Sequence, residues 1–311
     1  MLSSEADKAI GVRLNSILVA TDFSAASEKA VRHAIAIARH YHSKIYLMHV
    51  VSSLGFTMAG PDSVATASDL ARRDLGKFEQ QIMVSGAVAG LTHEVIIREG
   101  EVWEELEKVV AQRSVDMVVI GTHSRTGIAK LVLGSVAERI FRHASCPVLT
   151  VGSHCPANSQ VDAPKSIRPI LFPTDFSEAS LRALPYAISF ANERQTRIVL
   201  LHMLSPVPEV QGNRWYTAKD VTDCRKAVRA EKMRQLHSLV CDAKLSVDSI
   251  CMADFGDPAE GILAAANHLG VEGIIMGLKQ KTCVDAIAHL PWSTAYKVIC
   301  GACSAVLTVR P

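Results

Sequence analysis

Short apolar runs alternate along the first half of the chain with longer segments of helical periodicity. The apolar runs are SILVAT, KIYLMHV, HEVIIRE, DMVVIG and PVLTV, and they are rich in β-branched residues. Continuous runs of this length, bounded by polar or small residues, are typical of strands that are buried on both faces of a sheet. The pattern predicts five such strands in the first half of the chain.

The segments between the runs predict helices. Apolar and small residues recur there at helical spacing. The predicted helices are Ala26–Ala38, Ser68–Val84, Trp103–Gln112 and Val136–Arg142. Strands that alternate with helices imply an α/β fold with a parallel sheet and right-handed crossovers. Small ligands bind such a sheet beyond the carboxyl ends of its strands, where the strand order reverses. The candidate positions are Asp22, Val50 and Gly121, with the later counterparts Asp175, Met203 and Gly277.

The chain contains a tandem repeat. Residues 17–51 align without gaps to residues 170–204, and from Asp22 and Asp175 onward 30 positions hold 12 identities. The segment CPVLTV at 146–151 also returns as SAVLTV at 304–309. We therefore predict two doubly wound domains, at residues 1–152 and 168–311, joined by a polar linker at residues 153–167.

Composition restricts the class of protein. The chain has 311 residues, of which 49% are hydrophobic and 21% charged, so we expect a soluble globular protein. A formal net charge of +2 gives no electrostatic footprint for nucleic acid or an anionic membrane. No apolar run approaches the roughly 20 residues that span a bilayer, and the N-terminus lacks the apolar centre of a secretion signal. We expect a cytoplasmic protein whose eight cysteines are reduced thiols.

Three motifs together resemble a known family. They are the VATDFS segment at the first strand, LMHV at the second, and Gly121-x-x-Ser124 followed after nine residues by Gly134-Ser135. In this order they resemble the universal stress protein family in its tandem form, over both copies outside the N-terminal tail and linker. The resemblance implies an adenine-nucleotide-binding fold with strand order 3-2-1-4-5 and, in its ATP-binding members, bound ATP with Mg²⁺.

The resemblance also implies which residues contact the nucleotide. Carried over by position, the base and ribose would be held by Ala20, Thr21, Asp22 and Val50. The triphosphate would be surrounded by Ile120, Gly121, Ser124, Gly134, Ser135 and Val136. Arg125 is the cation that could reach a terminal phosphate. The chain departs from the family's ATP-binding pattern at Ser124, where that pattern has glycine.

Each of these residues has a physical reason to be there and a simpler alternative. Gly121 would let the backbone turn sharply off its strand, and Gly134 would admit a phosphate to the free N–H groups of the next helix. Alternatively, Asp22 caps the helix that starts near Ala25. SVAE at 135–138 is expected to form a capping box, which is compatible with phosphate contact because such a helix start still presents unpaired N–H groups. For Arg125 and Lys130, a solvated surface charge is favoured over a ligand contact.

Other side chains suggest chemistry that we weigh against structural roles. His49 and His202 recur at strand ends without metal-ligand spacing, so we interpret them as structural. Cys300 and Cys303 follow a predicted helix rather than start one, which favours incidental thiols over a redox pair. In the second copy, Gln280 and Trp292 stand where the phosphate loop would be, so we predict one nucleotide per chain, in the first domain.

The function that these observations favour is an ATP-binding stress-response module with at most slow ATP hydrolysis. The chain has no Walker loop and no Ser-His-Asp arrangement. The alternative is an interaction protein of the same family that binds no nucleotide. The apolar last strand of each copy would be an exposed sheet edge. The resemblance implies that such strands pair between domains, so the two domains are expected to form an intramolecular pseudo-dimer, and a homodimer of chains is a further expectation.

Overall fold

A computed structural model of the chain describes residues 12–51, 61–84, 89–122, 133–152, 155, 168–205, 218–245, 247–279 and 294–310. The described residues divide into two compact units. The first unit is built from residues of Arg13–Pro164 together with Cys303–Leu307, and the second from residues of Lys165–Ala302 together with Thr308–Pro311.

The first unit alternates strands and helices as predicted. Its elements are β1 (Ser16–Ala20), α1 (Ala25–Tyr41), β2 (Lys44–Val51), α2 (Pro61–Val84), β3 (His93–Glu99), α3 (Val102–Gln112), β4 (Met117–Thr122), α4 (Ser135–His143) and β5 (Val148–Gly152). The strands lie in the order β3-β2-β1-β4-β5, and every neighbouring pair is parallel. The predicted α/β class and the strand order 3-2-1-4-5 are confirmed.

The later elements repeat this plan. They are β6 (Ile170–Pro173), α5 (Glu178–Leu181), α6 (Leu184–Arg194), β7 (Ile198–Leu204), α7 (Ala218–Asp242), β8 (Ser249–Phe255), α8 (Pro258–Leu269), β9 (Gly273–Gly277), α9 (Thr294–Gly301) and β10 (Ala305–Val309). In the second unit β8, β7, β6 and β9 lie side by side in that order, which matches 3-2-1-4 of the first unit.

One helix differs between the copies. The first copy has the continuous 17-residue helix α1, whereas its counterpart is divided into α5 and α6. Pro185 lies in the first turn of α6. Proline has no N–H group to donate and clashes with the preceding turn inside a helix, but the first helical turn tolerates it. The second copy therefore begins a new helix at Leu184, whereas α1 of the first copy continues through Arg32, the residue equivalent to Pro185.

The core of the first unit is centred on its two middle strands. The side chains of Ile17, Leu18 and Val19 in β1, and of Met117 and Val118 in β4, are all 0% exposed. Such burial on both faces follows from the helices that cover both sides of a parallel sheet. This packing holds β1 and β4 in place, and with them the positions of their carboxyl ends.

The second unit buries one carboxyl group at the end of a helix. The side chain of Glu193, in the last turn of α6, is 6% exposed, and its Oε1 lies 3.4 Å from the Nε of Arg194. Its Oε2 has no hydrogen-bond partner among the described residues. Burial raises the pKa of Glu193 to about 7, against the opposing charge of Arg194 and with the support of the nearby Glu272 carboxylate.

This raised pKa predicts a pH-dependent effect of Glu193→Gln. The folded state keeps its proton up to about pH 7, while the unfolded chain releases it near its ordinary pKa of 4.5. The unfolded state therefore binds fewer protons between these values, and the group's contribution to stability falls as the pH rises through this range. We expect Glu193→Gln to raise the free energy of unfolding by up to about 3 kcal/mol at pH 7.5 and by little at pH 4.5.

Urea unfolding of the full chain at the two pH values measures this difference. Glu260→Gln is the matched control, since Glu260 is exposed in the first turn of α8 and gives no such gain. An equal gain from Glu193→Gln at both pH values would contradict a raised pKa.

Candidate functional site

A cavity of about 260 Å³ lies in the first unit, at the carboxyl ends of β1, β2 and β4. β1 pairs with β2 on one side and with β4 on the other. The chain leads from β1 to β2 and β3 on one side, and from β3 back to β4 on the other side. The carboxyl ends of β1 and β4 therefore mark the point where the strand order reverses. Residues at the start of α3 and α4 form the remaining wall. The cavity is therefore in the place where an open α/β sheet binds small ligands.

The structure brings most of the predicted site residues together around this cavity. Nine of them line it, namely Ala20, Thr21, Asp22, Val50, Ile120, Gly121, Gly134, Ser135 and Val136. The other two, Ser124 and Arg125, lie outside the described residues.

The family pattern missed a further set of lining residues, most of them apolar. These are Ser27, Met48, His49, Val102, Leu106, Ala137 and Ile140. Val102 and Leu106 are four residues apart at the start of α3, so both project from one face of that helix. This spacing was visible in the sequence, but nothing local indicated that the face turns toward the end of β4.

Asp22 lies in a tight turn between β1 and α1. Its side chain is exposed at the cavity, and its Oδ1 accepts hydrogen bonds from the N–H of Ser24 at 3.1 Å and from its hydroxyl at 2.6 Å. The N-cap of α1 is Ser24, whose Oγ accepts from the N–H of Ser27 at 3.3 Å. The interpretation of Asp22 as the helix cap is therefore wrong. Its carboxylate instead braces the residue that caps.

Gly121 has a role that differs from the predicted one. It lies within β4, paired with Val151, so the expectation that it turns sharply off the strand is wrong. A Cβ atom at this position would lie 2.5 Å from the carbonyl carbon of Ala26 and 2.6 Å from the amide nitrogen of Ser27. The backbone of α1 thus occupies the space that a side chain would need. Glycine is required because strand and helix backbones touch here.

Gly134 is the N-cap of α4. Its φ of −57° and ψ of 146° are accessible to any residue, and a Cβ atom would meet no atom of the described residues within 4 Å. The predicted capping box at 135–138 is wrong, because Ser135 is already helical and the N-cap is Gly134, which has no side chain to cap with. Glu138 instead accepts from Arg142 at 2.9 and 2.6 Å. Among the described residues, no side chain caps the first N–H groups of α4, which face the cavity and can donate to a ligand.

The equivalent turn in the second unit is arranged similarly but is occupied by the chain itself. The Oδ1 of Asp175 accepts from the N–H of Ser177 at 3.0 Å, while its Oδ2 lies 3.3 Å from the Nζ of Lys279. Burial acts to raise the pKa of Asp175, but hydrogen bonds from Ser177, Ser180 and Lys279 outweigh it and lower the pKa to about 2. Gln280 and Trp292 lie outside the described residues.

Met203, the counterpart of Val50, fills space that is open in the first unit. A Cβ atom at Gly261 in α8 would lie 2.2 Å from the Cε of Met203, so the methionine packs directly on the helix backbone. In the first unit, the smaller Val50 lines the cavity together with the α3 residues. Among the described residues of the second copy, the Met203 side chain thus occupies space next to the second strand.

The described residues offer little support for other chemistry. They contain no group of three or more His, Cys, Asp or Glu side chains that could hold a metal ion. The Nδ1 of His49 lies 2.8 Å from the carbonyl oxygen of Thr21, which fits a structural role. Cys300 is in the last turn of α9 and Cys303 follows it, away from any helix N-terminus. No helix among the described residues is long and apolar enough to cross a membrane.

Comparison with known proteins identifies relatives of both copies. The profile of the universal stress protein family matches residues 14–152 and 166–299. Universal stress protein MJ0531 of Methanocaldococcus jannaschii is 30% identical over 136 residues, 43% of this chain and 80% of the relative. A universal stress protein of Mycolicibacterium smegmatis is 29% identical over 236 residues, 74% of this chain and 77% of the relative. The crystal structure of a universal stress protein from Archaeoglobus fulgidus matches with a TM-score of 0.69 at 20% identity, covering 96% of this chain and 99% of its own.

The two glycines of the cavity predict opposite sensitivities to substitution. Gly121→Ala forces a Cβ atom into the backbone of α1, so we expect the free energy of unfolding to fall by about 1–3 kcal/mol. Gly134→Ser places its side chain in open space at an N-cap, so we expect a change within about 0.5 kcal/mol. Urea unfolding of the two variants beside the original chain measures both. Equal losses would show that the contact between β4 and α1 is not what requires glycine.

Proposed function

The chain belongs to the universal stress protein family, and from this premise we propose that its first unit binds ATP with Mg²⁺ as a regulated stress-response module. The observation that carries the proposal is the cavity, where nine residues expected from the family's ATP-binding pattern converge. The proposal includes a cytoplasmic location and, as a further element, association of two chains.

The chemistry of the lining supports a nucleoside at the inner end. Val50, Val102, Leu106 and Ile140 supply an apolar wall of the kind that accepts a purine ring. Asp22 stands at the exposed end of the same wall, and its carboxylate can accept hydrogen bonds from ribose hydroxyls. A cavity of about 260 Å³ suits a base and ribose, which leaves the phosphates to extend outward.

The start of α4 supports a phosphate site at the outer end. Gly134, Ser135 and Val136 line the cavity, and no side chain of the described residues caps the N–H groups of this first turn. A helix N-terminus with free N–H groups favours an anion through both hydrogen bonds and the helix dipole. The Ser135 hydroxyl can donate to a phosphate oxygen. Mg²⁺ would be held mainly by the phosphates and water, with the Ser135 oxygen as a protein ligand.

Binding rather than rapid turnover is the activity that the lining favours. Among the described lining residues, the groups that could act as a general base are Asp22 and His49. Asp22 is engaged with Ser24, and His49 is engaged with the backbone of Thr21. Neither is positioned as a base on a water molecule at the phosphate end. ATP hydrolysis, if it occurs, is therefore expected to be slow.

The second unit is proposed to bind no nucleotide. The ion pair between Asp175 and Lys279 takes the carboxylate that a ribose would need, and Met203 fills the neighbouring space. One ATP per chain is the stoichiometry that follows.

Titration calorimetry of the full chain with ATP and Mg²⁺ tests this stoichiometry and its location. We expect one site per chain, and Asp22→Ala should weaken its affinity by about 10- to 100-fold, because a charged acceptor is lost. Asp175→Ala is the matched control, and it should leave the affinity unchanged. Gly134→Trp should abolish binding without unfolding the chain, because its side chain enters open space over the start of α4.

Two outcomes would overturn the proposal. Two sites per chain would show that the second unit also binds. No heat on titration, together with no adenine absorbance released from denatured fresh protein, would favour an interaction protein without nucleotide. That second function has one specific argument in its favour, which is Ser124 at a position where the family's ATP-binding pattern has glycine.

A further inference from the structure

The turn that carries Asp22 holds an aromatic residue in an unfavourable backbone conformation. The φ of Phe23 is 61°, in the left-handed region that bulky residues rarely adopt. Phe176, at the equivalent position of the second copy, has the same φ of 61°. Strain of this kind persists only where the surroundings enforce it, and it is concentrated at functional sites. Contacts around Phe23 must therefore hold it in this conformation.

A short network of hydrogen bonds holds this turn. The N–H of Phe23 donates to the Oγ1 of Thr21 at 3.1 Å, and the N–H of Thr21 donates to the carbonyl of Met48 at 2.9 Å. The carbonyl oxygen of Thr21 lies 2.8 Å from the Nδ1 of His49. A carbonyl oxygen only accepts, so the imidazole Nδ1 carries the proton and donates it. The backbone of Thr21 is thereby tied to β2 through two bonds.

His49 also contacts the other side of the turn. The ring of Phe23 lies 4.5 Å from the imidazole of His49, centroid to centroid, with the planes inclined by 33°. One side chain thus bonds the residue before Asp22 and stacks against the residue after it. Asp22, between them, has its own carboxylate bound to Ser24. The histidine holds both neighbours of the acid that faces the cavity.

The second copy repeats the same arrangement. The Nδ1 of His202 lies 2.8 Å from the carbonyl oxygen of Thr174, and its ring lies 4.8 Å from that of Phe176. The histidine and its two contacts are therefore present in both copies. This second copy gives a comparison within the chain, because there the turn exists without the proposed ligand.

We infer that His49 is a positioning residue for nucleotide binding, which clamps Thr21 and Phe23 so that the Asp22 carboxylate stays at the cavity. The inference rests on the proposed function of the first unit. Without the Nδ1 donor, the Thr21 carbonyl loses its bond to β2, so Phe23 is held less firmly at positive φ and Asp22 shifts with it. Affinity is then lost because the acceptor must be reordered on binding.

Two substitutions at this position separate the donor from the ring. His49→Phe keeps an aromatic ring beside Phe23 but removes the N–H donor, so we expect ATP·Mg²⁺ affinity to fall by about 10-fold. His49→Asn keeps an N–H close to the Nδ1 position, so we expect it to recover most of that loss. His202→Phe is the matched control, with unchanged affinity. A purely structural histidine would give equal losses for His49→Phe and His49→Asn, which would overturn the inference.

A double-mutant cycle tests whether His49 acts through Asp22. If it does, adding His49→Phe to Asp22→Ala should cost no further affinity, because the group being positioned is already gone. Fully additive losses would overturn the inference, since they would mean that His49 acts on the nucleotide by another route.

A measurement without nucleotide keeps the clamp separable from the proposed function. Amide hydrogen exchange in the ligand-free chain should be about 10-fold faster at Phe23 and Ser24 in His49→Phe, with α3 unchanged. His202→Phe should do the same only at Phe176 and Ser177. Unchanged exchange overturns the clamp whether or not ATP binds. Faster exchange in a chain that binds no ATP overturns the proposed function, and the role of His49 in it, while the clamp of the turn stands.

Discussion

The contact on which the cavity depends is the one between the end of β4 and the first turn of α1. The two backbones approach so closely that no Cβ atom fits at Gly121. Gly277 in β9 makes the equivalent contact, where a Cβ atom would lie 1.9 Å from the carbonyl oxygen of Ala179. This approach draws the start of α1, with Ser24 and Asp22, against the neighbouring strand.

The two copies keep this framework and differ in what fills it. Both retain the glycine contact, the aspartate–serine turn, the aromatic residue at positive φ and the histidine that bonds the turn. The interactions that build the edge of the sheet therefore survived duplication. The side chain of Met203 is longer than that of Val50 and extends to the backbone of α8. Lys279 pairs with Asp175, the counterpart of Asp22. Small changes at the cavity are enough to separate the two copies because the scaffold does not depend on them.

Much of the fold could be predicted from the sequence, because buried parallel strands are continuous apolar runs. The predicted strands of the first copy agree with β1 to β5 within a residue at each end. The apolar pattern predicts that α2 begins at Ser68, but the helix begins at Pro61. The pattern is late because the segment PDSVATA has little apolar periodicity. Proline at a first helical position was the available signal there.

Which residues line the cavity was predicted better than what each of them does there. The family pattern named nine residues that converge on the cavity, but local reasoning misjudged Gly121 and Ser135. The contact at Gly121 joins residues 95 positions apart, between Ala26 and the end of β4, and no local pattern records such a distance. The helix cap depends on which residue first adopts helical angles, which shifts by one position without any change in motif. Val102 and Leu106 were missed for the same reason as Gly121.

Glu193 shows how duplication can place a buried acid at one end of a helix where the other copy has a different side chain. The equivalent position of the first copy is His40, near the end of α1. The exposed His40 needs no desolvation, whereas burial keeps a proton on the Glu193 carboxyl up to about pH 7. A neutral carboxyl suits the carboxyl end of a helix, where the dipole is negative. The second copy therefore carries at this helix end a buried proton-binding group that its counterpart does not share.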